Sequence, residues 1–217
     1  VQYRNLYPRR PSVDKEKRLL GLGDFPVRQD APAGHHIAYL AGHGLTRQAV
    51  QPQYAVYYTP RGLCFVTHNV LGYQERITDP AAADALGTRF MFPAGMALKA
   101  AIYFPGAASR LDHLVIVEGT TDALALASDG YRAASVLGSN ITFERIQALR
   151  GLVVNPDKVY YVPDNDLPGI KAVGRLAKYM FRARLIRLPL GKKDVCDFKN
   201  TDERVDYFSR WISERQK

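Results

Sequence analysis

The spacing of apolar residues along this chain changes character near residue 111. Upstream, the stretch YAVYYTPRGLCFVTHNVLGYQERIT (54–78) is rich in aromatic and β-branched side chains. Turn formers interrupt it at Pro60 and Gly62 and again at Asn69 and Gly72, so it predicts a β-meander of two or three antiparallel strands. The preceding segment, HHIAYLAGHGLTRQAV (35–50), predicts two short helices joined at 42–44, with Thr46 as N-cap of the second. Residues 79–110 are Ala-rich, and Pro80, Pro93 and Pro105 preclude a long helix. Residues 1–34 form a basic, Pro-punctuated stretch that reads as an arm or linker with one short helix around 14–20.

Beyond residue 111, short continuous apolar runs alternate with amphipathic stretches. LVIV (114–117), ASVL (134–137), VYYV (159–162) and RLIRL (184–188) predict strands buried on both faces. Between them the pattern predicts helices over 121–128, closed by Gly130, and over 142–150, ending at Gly151. A third helix starts near Pro168, with Ile170, Val173, Leu176, Ala177 and Met180 on its inner face. A last helix is capped by Thr201 and turns Val205, Phe208, Trp211 and Ile212 inward. This alternation implies an α/β fold: a parallel sheet with right-handed crossovers and its ligands beyond the strands' carboxyl ends. The expected organisation is an arm (1–34), a smaller α+β basic subdomain (35–110), a parallel-sheet domain (111–200) and a C-terminal helix (201–217).

Composition narrows the class. With 47% hydrophobic and 24% charged residues, the chain has the make-up of a soluble globular protein. No apolar run approaches the roughly 20 residues needed to cross a bilayer, and no secretory signal is evident, so a cytoplasmic setting without membrane partners is expected. Two cysteines, Cys64 and Cys196, are too few for a disulfide framework or a zinc knuckle. The net charge of +9 suits a polyanionic partner.

Three acidic groups follow predicted strands. Glu118 and Asp122 lie in VEGTTD, Asp164 and Asp166 in PDND, and Asp194 and Asp197 in GKKDVCDF. Taken singly each is ordinary, since an Asp-x-Asp after a strand commonly makes a turn or a helix cap. Together, at matching ends of one parallel sheet, they would converge on one rim. Crowded carboxylates raise one another's pKa, and a divalent cation relieves the repulsion. An oxygen-only donor set favours Mg²⁺ or Mn²⁺, which suits phosphoryl transfer. Gly119 and Gly169 permit close backbone approach beside the acids, and Lys171, Lys192 and Lys193 can offset phosphate charge.

VEGTTD, PDNDLPGIKA and GKKDVCDF resemble, in that order, the three acidic motifs of the TOPRIM domain, over about residues 111–199. That domain is shared by bacterial and phage primases, topoisomerases and OLD-type nucleases. The upstream stretches resemble the primases in particular. These are the Tyr-Leu helix and Gly-Leu turn of 35–50, the hairpin ending in Gly72, Tyr73 and Arg76, and RFMFPAGMALKAAIYF with Arg89 and Lys99 at its basic positions. The resemblance implies a DNA primase catalytic core, a nucleotidyltransferase making short RNA primers on single-stranded DNA from ribonucleoside triphosphates, with a replicative helicase as a further partner. It implies Mg²⁺ or Mn²⁺ held by Glu118, Asp164 and Asp166, with Asp122 and Asp194 in support. Arg76, Arg89, Lys99, Lys171 and Lys193 would hold nucleotide or template phosphates. The chain departs from the cellular Lys-Asp-Pro-Asp pattern: after Lys193 and Asp194 the second acid stands one position later, at Asp197, closer to the phage pattern. A TOPRIM-type metal-dependent nuclease and a non-catalytic single-strand binding module remain as alternatives.

Overall fold

The computed structural model describes residues 25–70, 72–105, 111–180 and 182–213. Most of the expected basic arm, including the helix around 14–20, lies outside the described residues.

The meander forms as a four-stranded antiparallel sheet in the order β1 (Val56–Tyr58), β2 (Gly62–Val66), β3 (Tyr73–Ile77), β4 (Phe90–Met91). The turn into β2 requires glycine, because a Cβ at Gly62 would lie 1.9 Å from the Arg76 carbonyl oxygen. The fourth strand comes from the Ala-rich segment, after a seven-residue helix α2 (Pro80–Leu86) that Asp79 caps through the Ala81 N–H. Helix α1 (Gly34–Gly42) packs on this sheet through His36 and Leu40. His36 Nδ1 accepts from the Ala33 N–H at 2.8 Å, so its Nε2 donates to the Thr59 carbonyl at 3.0 Å. The second helix expected in 35–50 is a single 3₁₀ turn, Arg47–Ala49; the Thr46 hydroxyl bonds Gln48 Oε1 instead of capping it.

The second sheet is parallel throughout, in the order β6 (Ala133–Ser135), β5 (Leu114–Val117), β7 (Val159–Val162), β8 (Arg184–Leu185). Every residue of β5 and β7 is buried, as central strands covered on both faces must be. The last strand is shorter than expected, two residues of the five in RLIRL. Residues 102–104 run antiparallel along the outer edge of β6, where Tyr103 and Ser135 exchange backbone bonds of 2.8 and 3.0 Å.

Helix α3 (Thr120–Ser128) fills the space between the parallel sheet and the turns at 47–49 and 195–197, and eight of its nine residues are buried. Helices α4 (Phe143–Arg150) and α5 (Leu167–Tyr179) cover the other face of the sheet. The inner line of α5 is Gly169, Ala172 and Leu176, with Met180 just beyond its end; Ile170 and Ala177, expected inside, face out. The shift follows from Gly169, which rests on the strand end below it. Helix α6 (Thr201–Ser213) is capped by Asn200, whose Oδ1 accepts from the Asp202 N–H at 2.8 Å, rather than by Thr201. Its inner face carries Phe208 and Ile212 and also Arg204, which is fully buried in a bidentate pair with Asp129 at 2.5 and 2.9 Å. One hydrophobic core runs from Leu40 and Phe65 through Tyr103 to Val115, Leu124 and Phe208, so it spans the expected boundary at 110–111.

Candidate functional site

The parallel register brings the ends of β5 and β7 level, with Val117 opposite Val162. Glu118 follows the first strand and Asp164 and Asp166 the second. Asp122 stands in the first turn of α3. Asp194 arrives on the loop after β8, which Asn165 fastens down. The Asn165 N–H bonds the Lys193 carbonyl and its side chain the Lys192 carbonyl, both at 2.7 Å. All five acids line one cleft of about 620 Å³ between the two sheets.

Each acid is held differently. Glu118, 4% exposed, accepts at Oε1 from the Tyr161 hydroxyl (3.2 Å) and the Asp164 N–H (3.3 Å). Asp166 caps α5 through the Gly169 N–H at 2.9 Å and faces Lys193 Nζ at 3.6 Å. Asp122 accepts from the Cys196 N–H at 3.0 Å. Asp194 keeps one buried oxygen, Oδ1, with no hydrogen-bond partner among the described residues.

Burial and mutual repulsion push Glu118, Asp122, Asp164 and Asp194 upward. Burial and then the neighbouring Asp122 and Glu118 raise Asp164 to about 8. Burial and then Asp194 raise Asp122 to about 7. Glu118 and Asp194 are also raised, chiefly by burial. Ligand atoms of Asp122, Asp194 and Cys196 all lie within 4.8 Å of one another. A partnerless buried oxygen and several carboxyls held above their ordinary range fit a group of residues able to hold a divalent cation.

The opposite wall comes from the antiparallel sheet and α1. The Arg76 guanidinium lies between two rings, 4.5 Å from the centroid of Phe90 and 5.3 Å from that of Tyr39. Its buried Nε has no partner among the described residues. Two polar struts tie this wall to the N-terminus of α3: Thr120 Oγ1 donates to Gln74 Oε1 at 2.8 Å, and the Tyr39 and Thr121 hydroxyls meet at 2.7 Å. The loop after β6 completes the rim. Leu137 takes a left-handed φ of 56° and Gly138 a φ of 109°, and the Gly138 N–H bonds the Glu118 carbonyl at 2.9 Å.

Of the residues singled out from sequence, Glu118, Asp122, Asp164, Asp166, Asp194, Lys193 and Arg76 line this cleft. Arg89, Lys99 and Lys171 are exposed and do not line it. Sequence reading passed over Tyr39, His43, Gln74, Phe90, Phe92 and Cys196, which do. Cys196 had an available signal. It occupies the place of the second Asp in Lys-Asp-Pro-Asp and takes the inward position, whereas Asp197 turns back to accept from the Lys193 N–H at 2.6 Å.

Residues 115–199 match a family model described as Toprim-like. No curated protein matches the sequence. Among solved structures, the RNA polymerase domain of Mycobacterium tuberculosis primase DnaG is similar with a TM-score of 0.53 at 19% identity, over 82% of this chain and 63% of that one. The zinc-binding and RNA polymerase domains of Aquifex aeolicus primase align with a TM-score of 0.54 at 19% identity, over 76% of this chain and 43% of theirs. The primase fragment of the bacteriophage T7 primase-helicase protein aligns with a TM-score of 0.54 at 13% identity, over 86% of this chain and 82% of the fragment. This chain therefore spans less than two thirds of the length of the two bacterial chains. Residues 115–199 are thus similar to the Toprim-like family, within the fold shared by these primase structures.

Proposed function

We propose that this chain is the Mg²⁺-dependent, RNA-polymerising core of a DNA primase, joining ribonucleoside triphosphates on a single-stranded DNA template. The observation that carries the reading is the meeting of two half-sites in one cleft: an acidic rim with a partnerless carboxylate oxygen, and Arg76 with a partnerless Nε. The first calls for a cation and the second for an anion, and a metal-bound triphosphate supplies both.

Glu118, Asp164 and Asp166 would hold Mg²⁺, with Asp122 and Asp194 beside them. When bound, the ion neutralises charge on the phosphates and orients them for in-line attack by a 3′-hydroxyl. The chain's own residues do the positioning. Tyr161 and the Asp164 N–H fix the orientation of Glu118. Asp166, tied to α5 and to Lys193, keeps a cation at the rim where phosphate charge would gather. Arg76, its guanidinium held against two rings, would donate from its partnerless Nε to a phosphate oxygen. Arg89, Lys99 and Lys171 would meet template phosphates outside the cleft. The segments before and after residue 110 would act as two subdomains gripping the strand between them, with a replicative helicase as a further partner.

The test is incorporation of labelled ribonucleotides on single-stranded DNA with Mg²⁺ or Mn²⁺, compared with Asp164→Ala. Short RNA products lost in the variant support the reading. Cleaved DNA in their place supports a nuclease, and binding without either product supports a non-catalytic module.

A further inference from the structure

The cleft wall opposite the acids contains more aromatic surface than the binding of phosphate requires. Phe90 is 45% exposed although it lines the cleft, and it stands on β4, the edge strand of the antiparallel sheet. Phe92, two residues on, also lines the cleft, as the alternation of side chains along an extended segment dictates. Packing does not explain this placement. Neither ring belongs to the hydrophobic clusters that form the core, and an edge strand ordinarily turns polar side chains to solvent. Arg76 lies against Phe90 with its Nε unpartnered, so the end of the cleft that attracts anions adjoins the exposed Phe90 ring and the half-buried Phe92.

A nucleotide has this same division, an anionic phosphate end and a flat π-faced base. Resting on the function proposed above, we infer that Phe90 and Phe92 form a stacking platform for a nucleobase whose phosphates lie toward Arg76 and the acidic rim. The two phenyl rings carry no hydrogen-bonding groups, and stacking is available to every base, so the platform accepts purines and pyrimidines alike. Its contribution is to hold the base end while the acids and Arg76 hold the phosphate end.

The experiment measures equilibrium binding, without template and therefore without turnover, of ATP, CTP, oligo-dT and inorganic tripolyphosphate in Mn²⁺. The proteins are the intact chain and its Phe90→Leu, Phe92→Leu and Phe90→Tyr variants. Leucine keeps apolar bulk but has no π-face, and tyrosine keeps the ring. The platform predicts that each leucine variant weakens ATP and CTP, or oligo-dT, by about ten-fold. Phe92→Leu leaves tripolyphosphate binding unchanged, Phe90→Leu weakens it less than it weakens the base-bearing probes because Arg76 rests on that ring, and Phe90→Tyr binds like the parent. Which base-bearing probe responds identifies whether the base comes from a free nucleotide or from the strand. Leucine variants that bind all base-bearing probes as tightly as the parent overturn the platform. So does an equal loss for tripolyphosphate, which would mean that the rings only position Arg76. A parent chain that binds tripolyphosphate but no base-bearing probe more tightly also overturns the platform alone. A parent that binds no probe at all overturns both the platform and the primase reading.

Discussion

Gly169 sits so close to Asp164 that a Cβ at position 169 would lie 2.2 Å from the Asp164 carbonyl oxygen and 2.9 Å from Glu118 Oε1. The first turn of α5 thus rests directly on the acidic rim, and the glycine sets the distance between them. In the interior of a helix, Gly→Ala alone would gain up to about 1 kcal/mol. Here a backbone oxygen blocks the way and cannot swing aside as a side chain can. Gly169→Ala should therefore destabilise by about 1–3 kcal/mol and also weaken metal binding. Gly174 lies on the same helix with nothing within 4 Å of its virtual Cβ, so Gly174→Ala should stabilise by about 0.5–1 kcal/mol. Paired thermal melts of the two variants check both signs.

The crowded carboxyls predict an unusual pH dependence. Asp164 and Asp122 are raised from 3.8 to about 8 and about 7, so the folded chain holds protons that the unfolded chain has already lost. Where the folded state binds more protons, stability falls as pH rises. The metal-free protein should therefore lose stability steadily from about pH 4 to about pH 8 and level off above it. Saturating Mn²⁺ should remove most of that slope, because the cation favours the ionised carboxylates. Asp164→Asn should raise the metal-free melting temperature at pH 8 and reduce its response to Mn²⁺. Differential scanning fluorimetry across pH, with and without the ion, provides the readout.

Arg204 and Asp129 are a buried ion pair with side chains only 1% and 2% exposed, joining α6 to the end of α3. Removing one member leaves the other charged and unpartnered. Arg204→Ala should cost about 3–5 kcal/mol. Urea melts should show this loss. Arg210 and Asp206 pair on the surface of the same helix, and Arg210→Ala should cost less than about 0.5 kcal/mol.

The Tyr39–Thr121 strut should act on function more than on folding. Tyr39→Phe keeps the ring beside Arg76 and removes one hydrogen bond, worth about 0.5–1.5 kcal/mol of stability. Primer synthesis should fall further than the melting temperature suggests, because the strut fixes the arginine wall against the helix that carries Asp122. Thr120→Val, which breaks the contact with Gln74, should behave alike. Initial rates and melts on the same preparations compare the two effects.

The two central strands and the acids were legible because buried parallel strands leave continuous apolar runs and the acids fall at their ends, whereas RLIRL yields only the two half-buried residues of β8. LVIV and VYYV are strands over the full extent of those runs, and Glu118, Asp164 and Asp166 follow directly. Periodicity misjudged α5, where Ile170 looks apolar enough to be buried and is 64% exposed. The decisive contact is made by Gly169, whose missing side chain gives no hydrophobic signal. Arg204 was invisible for the opposite reason: a charge reads as surface until its partner, 75 residues away, is known. The cleft's second wall was only half legible. Arg76 belongs to a recognisable signature, but Tyr39, Gln74 and Phe90 reach the cleft through sheet register and helix docking, which sequence spacing does not encode. Cys196 and Asp197 show the limit of reading a motif by charge, since the thiol and not the acid turns toward Asp122.

Primer synthesis and DNA cleavage separate in one reaction containing 5′-labelled single-stranded DNA, differently labelled ribonucleoside triphosphates and Mg²⁺. A primase core should give short labelled RNA with the DNA left whole, and lose more than about 100-fold of it in Asp164→Ala and Glu118→Gln. Shortened DNA with no labelled RNA, abolished by the same substitutions, would contradict the primase reading.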